Sequence, residues 1–271
     1  MNIRLLRPAI AALLSCALLT AVSPAFAVTN DGIENIVVGA DTTFPPFETE
    51  KNGVITGFDI DMINAIAKAE NISITIRALP FNGLIPSLQA GSIDAAVAGM
   101  TIKKSRMSNV AFSNAYYRSG QTILVKRGSP IKDFNDLDGH VVATKKATSS
   151  VDYLLKHGIS GDYIKEFQSI DAAYQALETG GVDAVIFDNP VNVTFKAKHP
   201  DVEIVGPLLT GEYYGIAISQ SKPELLDKIN DGLEKIKKSG EYQQLFMTYF
   251  GGDVRGEVEE VLSPAEAALA E

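Results

Sequence analysis

Between residues 36 and 98 the chain alternates short β-branched runs with helical stretches, and the same alternation begins again at residue 139. Residues 36–40 read as a strand, and 59–70 as a helix with Ile60, Ile63, Ile66 and Ala67 on its apolar face. Residues 72–77 form a second strand, 82–90 a second helix and 93–98 a third strand. Strands and helices in strict alternation, joined by tight connections, specify a mostly parallel sheet covered by helices. The restart predicts strands at 139–143, 163–167 and 182–187, with helices at 149–156 and 171–177. Two series, each starting anew, predict two α/β lobes instead of one extended sheet.

A short internal echo bears on this organisation. Leu88, Gly91, Asp94 and Ala95 recur at the same offsets as Leu177, Gly180, Asp183 and Ala184. Each copy reads as a helix ending on a glycine, a turn and a buried strand. The echo reflects either a common helix-to-strand turn or shared lobe architecture. Two further stretches, 116–125 and 211–218, look like extended segments running side by side between the lobes. Lobe one is then discontinuous, 31–119 plus 213–251, and lobe two continuous, 120–212. Helices over 223–239 and 241–250 dock back on lobe one, and 252–271 is an acidic tail expected to be mobile.

The first residues carry an export signal. Arg4 and Arg7 precede an apolar run over 9–22, followed by small residues at Ala25 and Ala27. The run is shorter than the ~20 residues of a membrane-spanning helix. Cleavage after Ala27 and a periplasmic location are expected. Lipidation at Cys16 is the rival, although Leu14 stands where a small residue would be expected; an uncleaved anchor is another. Removing residues 1–27 takes away two arginines and the single cysteine but no acid, moving the formal charge from −9 to −11. The mature chain then has no disulfide, thiolate metal site or cysteine nucleophile. Such acidity repels phosphate backbones, so no nucleic acid partner is expected. His140, His157 and His199 are far apart and fit no metal spacing; no metal or cofactor is expected, and a monomer is the expected state.

In a parallel sheet, ligands gather beyond the carboxyl ends of the strands. Asp41 directly follows the first strand, and Pro45 and Pro46 stiffen the loop presenting it with Phe44 and Phe47. Gly99 and Thr101 follow the third strand, with Arg106 five residues beyond Thr101. Glycine admits close backbone approach, and a guanidinium holds a carboxylate through two bonds. Thr148 and Ser149 bring hydroxyls and free N–H groups to a helix start, a natural anion site or ordinary capping, two roles that do not exclude each other. Lys145 points into the cleft or lies on the surface. Asp188 follows the last strand of the second series; with Arg106 it offers one charge per lobe, complementing an amino acid zwitterion. Phe81 stacks on a ligand or packs the core.

These pieces, in this order, resemble the extracytoplasmic solute-binding proteins of polar-amino-acid ABC importers, above all the glutamine-binding members. The resemblance rests on Asp41-Thr42-Thr43-Phe44, Gly57-Phe58-Asp59-Ile60-Asp61, Phe81-Asn82-Gly83-Leu84 and Asp94 to Ile102 with Arg106, and on Asp183 to Asp188 in the second lobe; it spans about 33–250. It implies a two-lobed periplasmic-binding-protein fold, the type II Venus flytrap, with two crossover hinge strands. It also implies delivery of a small polar amino acid to a membrane permease. By position, Arg106 matches the residue gripping the α-carboxylate, Asp188 the one taking the α-ammonium, and Gly99 and Thr101 residues around both. Phe44 and Phe81 match aromatic walls, and Asp41 with Lys145 the pair addressing a side-chain amide. Ser149 stands where those members carry glycine, and Phe187 where one carries histidine, which weakens glutamine more than amino acid binding. Cationic amino acids, glutamate and cystine stay open as ligands. The rivals are an exported enzyme of the cyclohexadienyl dehydratase type on the same fold, and a receptor's sensory domain.

Overall fold

The computed structural model describes residues 34–251, 253–258 and 260–270, so the export signal, the cleavage after Ala27 and Cys16 lie outside the described residues. Strand β1 (Glu34–Ala40) leads through the ribbon β2 (Thr43–Phe44), β3 (Glu48–Lys51) and β4 (Val54–Thr56) into helix α1 (Phe58–Ala69). Strand β5 (Ile72–Ala78), helix α2 (Phe81–Gln89) and strand β6 (Ala95–Ala96) complete the first series. After α3 (Lys104–Met107) and β7 (Ala111–Phe112), the chain leaves this lobe along β8 (Tyr117–Ser119). The second lobe holds β9 (Gln121–Lys126), β10 (Val142–Lys145), α4 (Ser149–Lys156), β11 (Ile164–Phe167), α5 (Ile170–Thr179), β12 (Ala184–Asp188), α6 (Asn189–Lys198) and β13 (Val202–Val205). The return runs along β14 (Glu212–Tyr214) and β15 (Ala217–Ile218) to α7 (Pro223–Ser239), α8 (Glu241–Phe250) and the short α9 (Pro264–Ala267).

Among the described residues two five-stranded sheets, ordered β5-β1-β6-β15-β7 and β11-β10-β12-β9-β13, stand beside the small β2-β3-β4 and β14-β8 sheets. In the first, β1 runs parallel to β5 and β6 while β15 is antiparallel to its neighbours; in the second, β10 runs parallel to β11 and β12 while β9 is antiparallel. The crossover strands β8 and β14 pair antiparallel, Glu212 opposite Ser119 and Tyr214 opposite Tyr117. This is the expected two-lobed α/β periplasmic-binding-protein fold.

The internal echo has a structural meaning. Asp94 accepts the Val37 N–H at 2.7 Å and returns its own N–H to the Val37 carbonyl at 2.8 Å. Asp183 does the same with Val141, both bonds 2.8 Å. In each lobe one aspartate clamps the central strand to the first strand, so the repeat is shared architecture. The clamp also explains two departures from the predicted boundaries. The strand expected over 93–98 shrinks to Ala95–Ala96, because Asp94 bonds by its side chain and Gly99, at φ +50°, turns the chain away. The one expected from residue 139 starts at Val142, because Gly139, at φ +76°, still belongs to a turn.

Helix α1 follows Gly57, where a Cβ would lie 2.0 Å from the Phe47 carbonyl oxygen. It packs on β5, α7 and α8. Its first residue, Phe58, is fully buried among Phe47, Tyr116, Tyr117, Tyr242, Phe246 and Phe250, with ring centroids 5.1–6.4 Å away. This aromatic cluster ties α1 and α8 to the base of β8. The acidic segment after Gly251 differs from the expected mobile tail where it is described. Val258, Ala267 and Ala268 are buried in the first lobe, the Ala115 N–H donates to the Leu262 carbonyl at 2.9 Å, and Ser263 caps α9. Val258, Ala267 and Ala268 dock while Glu260 and Glu266, with Val261 and Leu269, stay exposed, a division that composition hides. Phe58→Ala should destabilise the protein by about 3–5 kcal/mol, measured by urea unfolding.

Candidate ligand-binding cleft

The carboxyl ends of the two sheets face each other. Phe44, Phe81, Gly99, Thr101, Arg106, Lys145, Thr148, Ser149 and Asp188, all singled out from the sequence, line one tight cavity of about 10 Å³ with Ala98 and Phe187. That is room for about one water molecule, so the two lobes stand closed on each other. Asp41 stands behind this lining, ion-paired to Lys145 from the opposite lobe, both almost fully buried. Asp41 also accepts from the Thr43 hydroxyl at 2.8 Å, and Lys145 donates to that hydroxyl at 3.0 Å. Lys145 thus points into the cleft, and the pair is neutral with its partners fixed.

Arg106 spans the lobes. Its guanidinium donates to the Thr101 carbonyl at 2.9 Å and, across the cleft, to the Ala147 carbonyl at 3.0 Å. Its centre stands 5.3 Å from the centroid of the Phe81 ring, and the Lys145 ammonium 5.9 Å from it, so Phe81 is only partly buried and faces two cations. Phe44 meets Phe187 edge-on at 5.7 Å. Its ring leaves no room for a side chain at Gly99, where a Cβ would fall 2.2 Å from a ring carbon. The Gly99 N–H donates to the buried Asp59 carboxylate at 2.9 Å, which also accepts from the Tyr116 hydroxyl at 2.7 Å.

Asp188 ends β12 and accepts from the Tyr214 hydroxyl at 2.6 Å. Burial pushes its carboxyl up to about 7, the Glu212 charge adds to the rise, and the Tyr214 bond and the Arg106 charge oppose it. Burial likewise pushes Asp59 up to about 6 against its hydrogen bonds. The helix-start hydroxyls differ from expectation. Thr148 is the N-cap residue of α4, yet its hydroxyl donates to the Lys145 carbonyl at 2.6 Å and does not cap the helix. Ser149 donates to Glu212 at 2.9 Å. Only the N–H groups of the first turn of α4 remain to serve an anion there.

Three features escaped the sequence reading. Glu212 and Gln121, on the crossover segments, are buried and hydrogen-bonded to each other at 3.0 Å. Lys103, buried beside Thr101, forms an ion pair with Asp152 on α4, a second ion pair between the lobes. A charged residue inside the extended stretch 211–218 was the available signal for Glu212; for Lys103 there was none. The histidines stay peripheral, with His199 bonded to Glu178 at 2.6 Å and His157 stacked on Tyr153.

Two α/β lobes joined by paired crossover strands, closed on a small cavity that takes buried charges from both sides, define a bilobal solute-binding protein. Residues 36–252 match the family described as bacterial extracellular solute-binding proteins, family 3. The probable histidine-binding protein of Neisseria gonorrhoeae is 33% identical over 221 residues, 79% of this chain and 82% of that protein. The ABC transporter glutamine-binding protein of Bacillus subtilis (strain 168) is 33% identical over 227 residues, 81% of this chain and 82% of its own length. The solved structure of an ancestral arginine-binding protein bound to glutamine matches with a TM-score of 0.75 at 40% identity, covering 80% of this chain and 98% of that one. The chain belongs to the family 3 extracellular solute-binding proteins. It is therefore a binding protein with an extracytoplasmic site of action, and the exported dehydratase is set aside.

The raised Asp188 carboxyl has a signed consequence for the empty protein. An acid that binds its proton more tightly folded than unfolded weakens the fold as pH rises from its unfolded to its folded pKa. Asp188 should therefore lower stability between about pH 4 and about pH 7, by at most ~1.4 kcal/mol per pH unit. Asp188→Asn should remove that slope, read as the difference between variant and wild type in urea unfolding across this range.

Proposed function

We propose that the chain binds a polar amino acid in the interlobe cleft, glutamine before others, and delivers it to the permease of an ABC importer. The observation carrying this reading is that Arg106, from one lobe, and Asp188, from the other, line the same small cavity. A carboxylate on Arg106 and the start of α4, with an ammonium on Asp188, satisfies both ends of one zwitterion only when the lobes are closed. Closure excludes water and strengthens both contacts. The closed form is then what a permease distinguishes from the open one.

Relatives named for histidine, glutamine and arginine leave the side chain open, and the Asp41–Lys145 pair supports glutamine. A neutral pair offering one acceptor and one donor suits an amide, whereas Lys145 repels a cationic side chain. Arginine is the second reading, favoured by Asp41 and the Phe81 face if the ammonium of Lys145 swings aside.

Calorimetry against the common amino acids tests the assignment. L-glutamine should bind most tightly, and Arg106→Ala should weaken it by at least ~2 kcal/mol, roughly thirtyfold, because a buried carboxylate loses its partner. Lys145→Ala should weaken glutamine and strengthen L-arginine, by leaving Asp41 unneutralised. Unchanged affinity in Arg106→Ala would refute the carboxylate assignment, and tightest binding of arginine by the wild type would replace glutamine with the second reading.

A further inference from the structure

Glu212 does not line the cavity, yet four donors converge on it. The hydroxyls of Thr101 and Ser149 reach its Oε2 at 2.7 and 2.9 Å. The Gln121 amide and the Thr210 hydroxyl reach its Oε1, each at 3.0 Å. Four donors on two oxygens match the full accepting capacity of a carboxylate, which has no proton to give back. These donors come from separate parts of the molecule: Thr101 follows β6 in the first lobe, Ser149 opens α4 in the second, and Gln121 starts β9.

A hydroxyl carries one proton. Once Thr101 and Ser149 have turned theirs toward Glu212, they face the cavity with lone pairs alone. Ser149 also accepts from the Gln121 amide at 3.1 Å, and that amide is held the right way round because its own oxygen accepts from the Ser150 hydroxyl at 2.6 Å. Thr148, the remaining hydroxyl of the lining, has its proton on the Lys145 carbonyl. The wall around Asp188 therefore presents acceptors: one carboxylate and the oxygens of Thr101 and Ser149. A primary ammonium has three N–H donors to place, and a carboxylate or hydroxyl in the same spot would meet lone pairs. The Glu212 charge raises the proton affinity of Asp188, a further sign that this end of the cavity is short of positive charge.

We propose that Glu212 is the positioning residue for the ligand's amino end: by drawing the hydroxyl protons of Thr101 and Ser149 toward the hinge, it turns both groups into acceptors and makes the cleft discriminate for a primary α-ammonium. The inference rests on the reading of the cleft as a zwitterion site and adds a determinant outside the lining. Ser149 then serves the ligand's carboxylate through its backbone and not its hydroxyl.

The test compares each amino acid with the same molecule lacking its α-amino group: L-glutamine with glutaramate, and L-arginine with 5-guanidinopentanoate. Affinities are measured by calorimetry for the wild type, Glu212→Gln and Glu212→Asp. Glutamine in place of Glu212 keeps the shape but must donate from one end, so a hydroxyl proton is released toward the cavity. The amino acid should bind at least about tenfold more weakly to Glu212→Gln while its desamino partner changes less than about threefold. Glu212→Asp, which keeps the charge but is too short to hold both hydroxyls, should fall between, and serves alone if Glu212→Gln does not fold. Equal weakening of both partners, or an unchanged ratio, would assign Glu212 a structural role and overturn the inference alone. A wild type that discriminates within neither pair would overturn the zwitterion reading and the inference together.

Discussion

Charge taken out of water must be matched, and the closed cleft of this protein is organised by that constraint. Asp41, Lys103, Arg106, Lys145, Asp188 and Glu212 are all buried where the lobes meet. A lone ion there would cost several kcal/mol, and each of these groups has a partner drawn from elsewhere in the chain. Lys145 reaches across to Asp41, Lys103 to Asp152 and Arg106 to the Ala147 carbonyl. Asp188 is the exception in kind: it accepts from a neutral group, the Tyr214 hydroxyl, with the neutral Gln121 amide nitrogen 3.5 Å away. Burial first, and the Glu212 charge after it, raise its proton affinity, and a ligand ammonium would offset both.

The hinge does more than connect the lobes. Strands β8 and β14 carry Ser119, Glu212 and Tyr214, and Gln121 follows directly. Tyr214 touches Asp188 on one lobe and bridges to Thr101 on the other. Groups that line the cleft are therefore oriented from the crossover strands themselves. Behind them the ring cluster around Phe58 packs the base of β8 against α1 and α8. Rigid lobes with a soft pivot let a small molecule convert two local contacts into one global change.

Much of this was legible in the sequence because it is local. Strand-to-loop exits placed Asp41, Gly99, Thr101, Lys145 and Asp188 at carboxyl ends, and the parallel sheets bring those ends together. Apolar periodicity located α1 and α4 to within a residue. Strand ends were less legible, since the run 93–98 shows what is apolar but not that Asp94 and Gly99 cut the ladder short. The polar network was not legible at all. Glu212 meets Thr101 and Ser149 across 111 and 63 residues of chain, and a hydroxyl's direction depends on which acceptor wins it. Thr148 and Ser149 read correctly as the start of a helix, but their protons went to Lys145 and Glu212, partners that a reading of the local chain does not weigh. The acidic segment after Gly251 misled in the opposite sense, because Val258, Ala267 and Ala268 are too sparse to register as a core.

The central claim, that closure is driven by one molecule neutralising both lobes at once, is open to a direct distance measurement. The chain without its first 27 residues has no cysteine, so spin labels at Lys104→Cys on α3 and Lys156→Cys on α4, both exposed and one on each lobe, report the interlobe distance alone. L-glutamine should collapse the distribution to a single short distance. Glutaramate, which keeps only the carboxylate, and 4-aminobutanamide, which keeps only the ammonium, should leave it broad and long at concentrations that saturate binding. Full closure with either half-charged molecule would contradict the account.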